Sequence, residues 1–532
     1  MFKEDDEYME INTFRKNIFK VLSRVAYVYP SIYRVMISGL ATDIIYGLLN
    51  SISEVFVERF CCSKLHGSEE EPRSLETRSP LKDFPLIITS LHYEPDIVNL
   101  ARILDGGGIE VFSKRREKQV IIAGGPACME NPVPYSDVID AFIIGEAEET
   151  LPRIIELWLE YGDSKKRFLE VIASLKYVYV PGLTTGTVVK SYPLNLDTVF
   201  YPIRQVENTE VEPIYGRGYK LEVSRGCFFW CSFCIETRIF NPYRERSLST
   251  LKNILDNGLQ YSLSGRRVIV FSLVFPVSKT HYELLEFLRN EKFVASLPSL
   301  RITPYLEKSL DAIKDLGQRT LTLAPESFSP MVHSIIAKYP GMLDYVKNVI
   351  ETILKSGFDL KLYLIYGYKG LGSSELNENI AYLKELVKLA KTHGNRISVT
   401  LNPLVPKPHT MFQWTGMLNK DTLKNLLKVY KDELKKLIDA RVYDIDWAII
   451  QAQFALSPKP LGNLVFKWAR YGGGLKGWRR AVRELELNYS YVFTGYNEHS
   501  DLPWDFIDLG VNVNKVLFSQ FETYKKLLRT FN

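Results

Sequence analysis

The strongest constraint on this chain is a regular alternation of short apolar runs with longer stretches of helical periodicity, which begins at residue 220. The apolar runs that we predict as strands are 220–224, 268–275, 300–303, 320–324, 360–366 and 397–401. Alternation of this kind is typical of a parallel sheet with helices packed against it. Six strand–helix units predict a partial (β/α)6 barrel, because the complete barrel has eight. Ligands of such barrels bind at the carboxyl ends of the strands.

The first 200 residues alternate in the same way, with shorter elements. Strands are predicted at 25–29, 33–37, 55–60, 86–90, 120–123 and 141–144, and helices at 41–49, 95–104 and 150–161. This pattern predicts a mostly parallel sheet covered by helices, with its own ligand site at the carboxyl ends of the strands. The predicted fold class is therefore α/β, in three parts: residues 1–200 including a connector, the partial barrel at 201–440, and an α/β extension at 441–532.

Composition restricts the class of protein further. The chain has 532 residues, of which 46% are hydrophobic and 24% charged, as in a soluble globular protein, and its net charge of +5 requires neither nucleic acid nor an anionic membrane as partner. Six cysteines are too few for a secreted disulfide framework, and the acidic start at Glu4, Asp5 and Asp6 differs from a signal peptide. We therefore expect a cytoplasmic protein. The longest apolar runs, such as 268–276, are far shorter than the roughly 20 residues that span a bilayer, so no membrane span is expected.

Three of the six cysteines lie close together, immediately after the first predicted barrel strand. Cys227, Cys231 and Cys234 are separated by three and two residues. A loop that gathers three thiolates suits an iron–sulfur cluster, and three ligands on a four-iron cube leave one iron without a protein ligand. The alternatives are a structural zinc site, for which no fourth ligand stands nearby in sequence, and inert buried cysteines, for which this spacing is unusual.

The segment 227–234, with Phe233 before its last cysteine, resembles the CxxxCxxC motif of the radical S-adenosylmethionine (radical SAM) superfamily. The resemblance implies that the three thiolates hold a [4Fe–4S] cluster, and that the amino and carboxylate groups of S-adenosylmethionine bind the fourth iron. One electron then cleaves the sulfonium and yields a 5′-deoxyadenosyl radical. The resemblance also implies that Phe233 lies beside the adenine.

Later strand ends resemble the looser cofactor motifs of the same superfamily. Glu326 resembles the ribose contact, Gly367 resembles the glycine that lets the backbone approach the adenine, and Asn402 lies in the matching place after the sixth strand. The structural alternative for each is a turn glycine or a side chain that caps local backbone. The Gly-Gly-Glu run that is usual after the second strand is absent, so the residue holding the methionine amine is not identified; Ser272 is the candidate at that place.

Two glycine-containing runs follow predicted strands in the first part of the chain, one at Gly124 and Gly125 and one at 145–149. Taken alone, each is typical of a tight turn. Together, ahead of the cysteine loop, they resemble the cobalamin-binding type of radical SAM protein, whose Rossmann-like N-terminal domain carries the corrinoid. More narrowly, the motifs at 90–94, 124–126, 243–247, 323–326 and 406–414 resemble an uncharacterised subfamily of this architecture.

The expected lower ligand of the cobalt is missing from the sequence. Corrinoid proteins of one type use the His of an Asp-x-His-x-x-Gly loop after the first strand, whereas residues 37–42 read Ile-Ser-Gly-Leu-Ala-Thr. Either cobalamin is bound without a lower His, or the domain keeps the fold and has lost the corrinoid; the sequence favours neither. His92, at another strand end, is a candidate neighbour of a corrinoid or a hydrogen-bonded structural residue.

Four arginines surround the cysteine loop in sequence: Arg225, Arg238, Arg244 and Arg246. Such cations hold an anionic substrate, raise the reduction potential of a cluster, or form ion pairs.

The sequence thus predicts a radical SAM enzyme that abstracts hydrogen from an unactivated carbon, with methyl transfer or C–C bond formation where a corrinoid takes part. Its expected partners are a substrate that the sequence does not identify and an electron donor such as ferredoxin or flavodoxin. Modification of tRNA is a second hypothesis, which the small net charge and the lack of an RNA-binding module disfavour. A non-catalytic iron–sulfur carrier or scaffold is the third.

Overall fold

The structure is a computed structural model that describes residues 9–371, 374–435, 437–510 and 513–529. The acidic residues Glu4, Asp5 and Asp6 lie outside the described residues. No helix among the residues described is both long and apolar enough to cross a membrane.

A six-stranded sheet forms the N-terminal part of the chain. In spatial order its strands are Val55–Cys62, Ser23–Ile32, Leu86–Ser90, Val120–Gly124, Ala141–Ile143 and Val178–Tyr179. All neighbouring pairs are parallel except the last. Its longer helices are Leu40–Asn50, Asp96–Gly106, Ala147–Tyr161 and Lys165–Ile172. The expected parallel sheet with helices on its faces is confirmed.

Both faces of this sheet are buried, which explains why its strands are mostly apolar; the charged exceptions Glu58 and Arg59 are buried as well. Along the second strand in spatial order, Val25 and Tyr27 belong to one hydrophobic cluster, and Ala26 and Val28 belong to the other. Successive side chains of a strand point to opposite faces, so the two clusters are the two helical layers.

The prediction of a strand at 33–37 is wrong. The preceding strand runs on as far as Ile32, and residues Tyr33–Met36 form a short helix. Tyr33 and Met36 are the buried residues of that helix, three positions apart, which is a helical spacing. An apolar run of five residues fits a strand or a helical turn equally well, and here the helical spacing decides.

The second half of the chain contains two parallel sheets. The first contains Tyr219–Glu222, Arg267–Phe271 and Val294–Ser296. The second contains Thr320–Glu326, Asp359–Tyr366, Ile397–Pro403 and Asp439–Val442. Single parallel bridges from Leu300 to Phe275 and to Leu323 link the two sheets. The strands therefore follow one curved series, and within the described residues the series does not close into a barrel.

Two details differ from the predicted six units. The strand predicted at 300–303 is reduced to Leu300, because Thr303 already caps the helix Pro304–Lys308 and the ladder pairing lies earlier, at Val294–Ser296. A seventh parallel strand, Asp439–Val442, pairs with Ile397–Pro403.

Helices flank these strands on the outside. They are Leu248–Gly258, Lys279–Asn290, Pro304–Lys308, Leu310–Asp315, Pro330–Ile335, Leu343–Lys355, Ser374–His393 and Lys420–Leu434. Ser247, Ser278 and Asn419 begin three of them by accepting a hydrogen bond from a backbone N–H of the first turn. Because each helix connects one strand to the next parallel strand, the carboxyl ends of all these strands lie at the same edge of the curved sheet.

The C-terminal part is an extension of helices with one short strand. Its helices are Ile445–Ala455, Gly462–Arg470, Gly474–Glu484, Tyr491–Thr494 and Val513–Arg529, and its strand Ile507–Asp508 pairs in parallel with Val188–Val189. The extension packs on the N-terminal part, where Arg470 forms an ion pair with Asp105 at 2.8 Å. The three parts of the chain thus contact one another.

Candidate functional site

A cavity of about 550 Å³ lies between the N-terminal sheet and the barrel. Gly124, Gly125 and His92 line it from the carboxyl ends of the N-terminal strands. Ser224 and Ser272 line it from the first two barrel strands, and their hydroxyls are hydrogen-bonded at 2.7 Å. The carboxyl ends of both strand series therefore face one shared space, which is where α/β sheets of this kind bind ligands.

Gly124 and Gly125, both predicted as site residues, differ in whether the local fold requires a glycine. Gly125 has a φ of +98°, and a Cβ there would lie 2.7 Å from the carbonyl oxygen of Leu91, so the local fold requires glycine. A Cβ at Gly124 would meet no atom closer than 3.8 Å, and one at Gly39, on the opposite wall, would meet none within 4 Å. The protein therefore leaves space at Gly124 and Gly39 that its own packing does not need.

His92 projects into the same cavity. Its Nε2 is 3.0 Å from the hydroxyl oxygen of Ser90, and its ring lies 5.9 Å from that of Tyr29. The surrounding protein lowers the pKa of His92, which favours the neutral imidazole. The loop after the first strand contributes Ser38 and Gly39 to the wall instead of an imidazole.

Ion pairs join the cavity wall to the strand that carries the cysteine loop. Arg225 contacts Glu146 at 2.7 Å, Glu148 at 2.6 Å and Glu222 at 2.7 Å. Arg244 contacts Glu146 at 2.6 Å. Arg246 contacts Glu222 at 2.8 Å. Of the interpretations of these arginines, the structure supports ion pairing for all three.

The fourth arginine, Arg238, has a different environment. Its guanidinium lies 4.5 Å from the centre of the Trp230 ring, and burial lowers its pKa to about 10. It is a buried cation beside the cysteine loop, held by a ring and by weak polar contacts to His409 and Gln520.

Backbone contacts fix the cysteine loop on the barrel mouth. The N–H of Ser232 donates to the carbonyl of Ile336 at 2.8 Å, and its hydroxyl donates to the carbonyl of Ile335 at 3.0 Å. The N–H of Cys234 donates to the carbonyl of Cys231 at 3.1 Å. The loop therefore rests on the short helix that follows the fourth barrel strand, although more than 90 residues separate the two in sequence.

The three thiols are enclosed by protein. Cys227 and Cys231 are buried and Cys234 is half-buried. Burial raises the pKa of Cys227, and it raises that of Cys234 to about 12. Without a metal, Cys227 and Cys234 are therefore neutral thiols, and metal binding has to displace their protons.

The donor set fits an iron–sulfur cluster. Three soft sulfur ligands from one loop are the ligands that such clusters use, each thiolate binding its own iron. A single ion would instead need its ligands around one point, and within the described residues no three His, Cys, Asp or Glu side chains form such a group.

Two cations that the sequence analysis missed flank the loop. The guanidinium of Arg301 lies 3.5 Å from the centre of the Phe229 ring and 4.6 Å from that of Tyr339, and its Nη1 is 3.9 Å from the sulfur of Cys231. Arg301 directly follows Leu300, the residue that bridges the two barrel sheets. In the sequence it lies inside the predicted strand 300–303, and nothing in that pattern indicates that it reaches the cysteine loop.

Lys338 brings two predicted site residues together. It forms an ion pair with Glu326 at 2.8 Å, and its Nζ lies 5.9 Å from the centre of the Phe233 ring. Burial would lower the pKa of Lys338, but Glu326 outweighs it and holds that pKa above its usual range. Glu326 has a φ of +66°, a strained conformation for a carboxylate side chain at the end of a strand. Phe233 and Glu326 thus lie on either side of one buried ammonium.

Gly367 and Asn402 lie at the next two strand ends. Gly367 has a φ of +87°, and a Cβ there would lie 2.6 Å from Leu423, so local packing by itself accounts for this glycine. Asn402 pairs in register with Ile365 and lies on the half-exposed face of its strand with Ser398 and Thr400. The structure places both at the barrel mouth and, among the described residues, shows no backbone hydrogen bond between either of them and the cysteine loop.

Two family models match this chain. One, described as radical SAM proteins, N-terminal, matches residues 41–181, and the other, described as the radical SAM superfamily, matches residues 221–383. The first covers most of the N-terminal sheet, and the second covers the cysteine loop and five barrel strands. The chain belongs to the radical SAM superfamily and is a radical SAM enzyme.

Two curated relatives are similar in sequence. An uncharacterized protein of Methanocaldococcus jannaschii is 28% identical over 419 residues, which are 78% of this chain and 85% of that protein. An uncharacterized methyltransferase of Pyrococcus horikoshii is 23% identical over 308 residues, which are 55% of this chain and 65% of that protein.

Two solved structures share the fold. The radical S-adenosylmethionine methyltransferase TsrM from Kitasatospora setae, with cobalamin and a [4Fe–4S] cluster bound, aligns with a TM-score of 0.51 at 12% identity over 87% of this chain and 100% of that one. The cobalamin-dependent radical enzyme OxsB, with aqua-cobalamin and S-adenosylmethionine bound, aligns with a TM-score of 0.50 at 13% identity over 96% of this chain and 80% of that one. The fold is that of cobalamin-dependent radical SAM enzymes.

Proposed function

We propose that this protein holds a [4Fe–4S] cluster and S-adenosylmethionine at the barrel mouth and a corrinoid in the adjoining cavity, and that it methylates or rearranges the carbon skeleton of its substrate. One observation carries the proposal: the cavity wall contains Ser224 and Arg225, immediately ahead of Cys227. A ligand in the cavity and a cluster on the loop would then be neighbours. The relative called a methyltransferase supports methyl transfer as the reaction.

The residues of the barrel mouth have separate tasks in this proposal. Cys227, Cys231 and Cys234 hold three irons and leave the fourth for the amino and carboxylate groups of S-adenosylmethionine. When bound, this pair of cofactors supplies radical chemistry that protein side chains alone do not. Phe233 offers an apolar surface to the adenine, and Glu326 accepts hydrogen bonds from the ribose.

The cations around the loop have an electrostatic task. Arg301 and Lys338 are the charged groups nearest the loop that a carboxylate or an anionic cluster would meet. Both lie where water is largely excluded, so their charges act strongly on a neighbouring anion. Gly367 and Asn402 would approach the cofactor from the fifth and sixth strand ends, and Ser272 would approach it from the second.

The cavity suits a corrinoid that has no imidazole ligand from the first loop. Its wall is mostly apolar, Gly39 and Gly124 leave open space, and Gly125 exposes backbone at the turn. His92 is the imidazole in the wall, and its Nε2 is engaged with Ser90. We therefore place the ligand against the glycines, with His92 beside it.

The proposal includes the setting of the reaction. A cluster of this kind needs a low-potential electron donor, such as ferredoxin or flavodoxin, and a reducing compartment such as the cytoplasm. Its substrate is an organic molecule with an unactivated carbon that reaches the barrel mouth.

The decisive experiment is anaerobic reconstitution of the purified chain with iron and sulfide, followed by reduction in the presence of S-adenosylmethionine, with and without methylcobalamin. We expect a brown protein that forms 5′-deoxyadenosine. S-adenosylhomocysteine is expected in addition when hydroxocobalamin replaces methylcobalamin, because the reduced cobalt can then accept the methyl group of S-adenosylmethionine.

The variant in which Cys227, Cys231 and Cys234 are all replaced by Ala is the matched control. It should bind methylcobalamin as the parent does, because the cavity is intact, but should take up no iron and form neither nucleoside. A parent chain that is brown yet forms neither product would be an iron–sulfur carrier and would contradict the proposal. A variant that retains both colour and products would show that the cluster is held elsewhere.

A further inference from the structure

The C-terminal helix Val513–Arg529 lies directly against the cysteine loop. The side-chain amide of Gln520 donates to the carbonyl of Trp230 at 2.7 Å and accepts from Arg238 at 3.3 Å. Trp230 is the residue before Cys231, and its ring covers the guanidinium of Arg238 at 4.5 Å. The helix is therefore one peptide unit away from a proposed ligand of the cluster.

The same helix is fixed at a second point on the barrel mouth. The hydroxyl of Tyr524 donates to the carbonyl of Lys369, in the turn after the fifth strand. Leu528 packs on Gly370 of that turn, where a Cβ would lie 2.9 Å from it. Two anchors on two different strand ends make this helix an integral part of the site.

The outward face of the helix carries a stripe of exposed side chains at helical spacing. Its members are Lys515, Phe518, Glu522, Lys526 and Arg529. Three of the five are cationic, on a chain whose total charge is only +5. Phe518 is 40% exposed and stacks on Trp414 at 4.9 Å. The stripe carries three cations and one anion, Glu522, so the exposed aromatic ring lies on a surface of net positive charge, which fits a partner of opposite charge.

We propose that this stripe is the docking surface for a small acidic one-electron carrier protein that reduces the cluster. The inference rests on the proposed function, because it requires the cluster. One electron leaves the carrier, which is oxidised by one, and enters the cluster, which is reduced by one; no bond forms and no proton moves. Electron transfer slows steeply with distance, so the carrier has to dock near the cysteine loop, and this helix is in contact with the loop and carries exposed cations.

The test compares two charge reversals in the full-length reconstituted chain. The double variant Lys526→Glu, Arg529→Glu reverses the net charge of the stripe and leaves the anchoring residues Gln520, Tyr524 and Leu528 unchanged. Lys476→Glu with Arg483→Glu makes the same change of charge on the exposed side of helix Gly474–Glu484, away from the loop. The measurements are the affinity for oxidised flavodoxin, an acidic carrier, and the rate at which reduced flavodoxin or dithionite bleaches the cluster.

We expect the stripe variant to bind flavodoxin about tenfold more weakly and to be reduced by it about tenfold more slowly at low salt, because electrostatic steering has these magnitudes. The difference should shrink in high salt. Reduction by dithionite, which needs no docking surface, should be unchanged, and the control variant should match the parent.

Equal loss in both variants, or no loss in either, would overturn the docking surface and leave the proposed function intact. Slower reduction of the stripe variant by dithionite would also overturn it, since the change would then act on the cluster itself. A parent chain that takes up no cluster would overturn the proposed function together with the surface. Binding of a bulk tRNA, lost in the stripe variant while flavodoxin binding is unchanged, would assign the stripe to nucleic acid instead.

Discussion

At the scale of single residues, Arg301 is the side chain whose position matters most for the cluster. It is held between the rings of Phe229 and Tyr339, and its Nη1 reaches 3.9 Å from the sulfur of Cys231. Its Nε has no hydrogen-bond partner within the part of the chain that the structure describes. A guanidinium held in this way can orient towards a bound anion without giving up an ion pair.

We expect Arg301→Met to lower the reduction potential of the cluster by roughly 60 mV, which is ~1.4 kcal/mol for one electron. The reason is that a nearby cation stabilises the more negative, reduced cluster. A redox titration followed by electron paramagnetic resonance measures the shift. Arg301→Lys keeps the charge and should keep most of the potential. An unchanged potential in Arg301→Met would show that its charge is screened from the cluster.

Gly124 offers a test of the cavity that is independent of the cluster. In Gly124→Val the added methyl groups enter open space, since a Cβ meets nothing closer than 3.8 Å, so the fold should be unaffected. We expect methylcobalamin to bind at least about tenfold more weakly, the cost of ~1.4 kcal/mol of lost contact. The visible spectrum of the corrinoid reports binding, and thermal unfolding checks the fold. Undiminished affinity in a folded variant would place the corrinoid elsewhere.

At the scale of elements, ion pairs of Glu222 with Arg225 and Arg246 stabilise the carboxyl end of strand Tyr219–Glu222. Burial would raise the pKa of Glu222, but Arg225 and Arg246 outweigh it and hold that pKa below its usual value. The ionised form therefore stabilises the fold above the unfolded-state pKa of about 4.5, and this stability is lost as the pH falls through the lower, folded-state value.

We expect Glu222→Gln to lower the free energy of unfolding by about 3 kcal/mol at pH 7, the usual cost of removing one partner of a buried pair. The difference from the parent should diminish as the pH falls from about 4.5 through the lower, folded-state pKa, because the carboxylate of the folded parent becomes protonated only across that lower value. Urea unfolding of the two proteins across this pH range measures it. A difference that does not depend on pH would show that Glu222 acts through packing instead of charge.

The elements also show which parts of the structure can be predicted from sequence. The long alternating runs were assigned correctly because burial on both faces imposes an apolar strand pattern. The helix Tyr33–Met36 and the bridge at Leu300 were missed because runs of four or five residues do not distinguish a strand from a helical turn.

The candidate site follows a similar division. The spacing of the cysteines predicts the metal-binding loop, because all three ligands lie close together in sequence. The cations Arg301 and Lys338 could not be assigned to it, since their distances to Phe229 and Phe233 depend on how separate strand ends meet in the folded barrel.

At the scale of the whole molecule, one buried lysine joins all three parts of the chain. Lys407, after the sixth barrel strand, contacts Glu94 and, at 3.2 Å, Glu130, both from the N-terminal part. Gln451, in the C-terminal extension, donates to Glu94 at 3.1 Å. Glu94, Glu130 and Lys407 are all largely buried. Burial raises the pKa of Glu130 well above its usual value and lowers that of Lys407 to about 7, so Lys407 is the cation for the Glu94 carboxylate and a hydrogen-bond donor to Glu130.

Lys407→Met would leave the buried carboxylate of Glu94 without its cation and Glu130 without its hydrogen-bond donor, and we expect it to lower the free energy of unfolding by about 3–5 kcal/mol. The N-terminal part should also unfold separately, because a buried charged link to the barrel is gone. Denaturant unfolding followed by tryptophan fluorescence and by circular dichroism would show two transitions where the parent shows one. Lys407→Arg, and the triple variant Glu94→Gln, Glu130→Gln, Lys407→Met, both avoid an unpaired charge and should recover most of the loss. A Lys407→Met protein that unfolds in one transition at the parent midpoint would mean that apolar contacts alone couple the three parts.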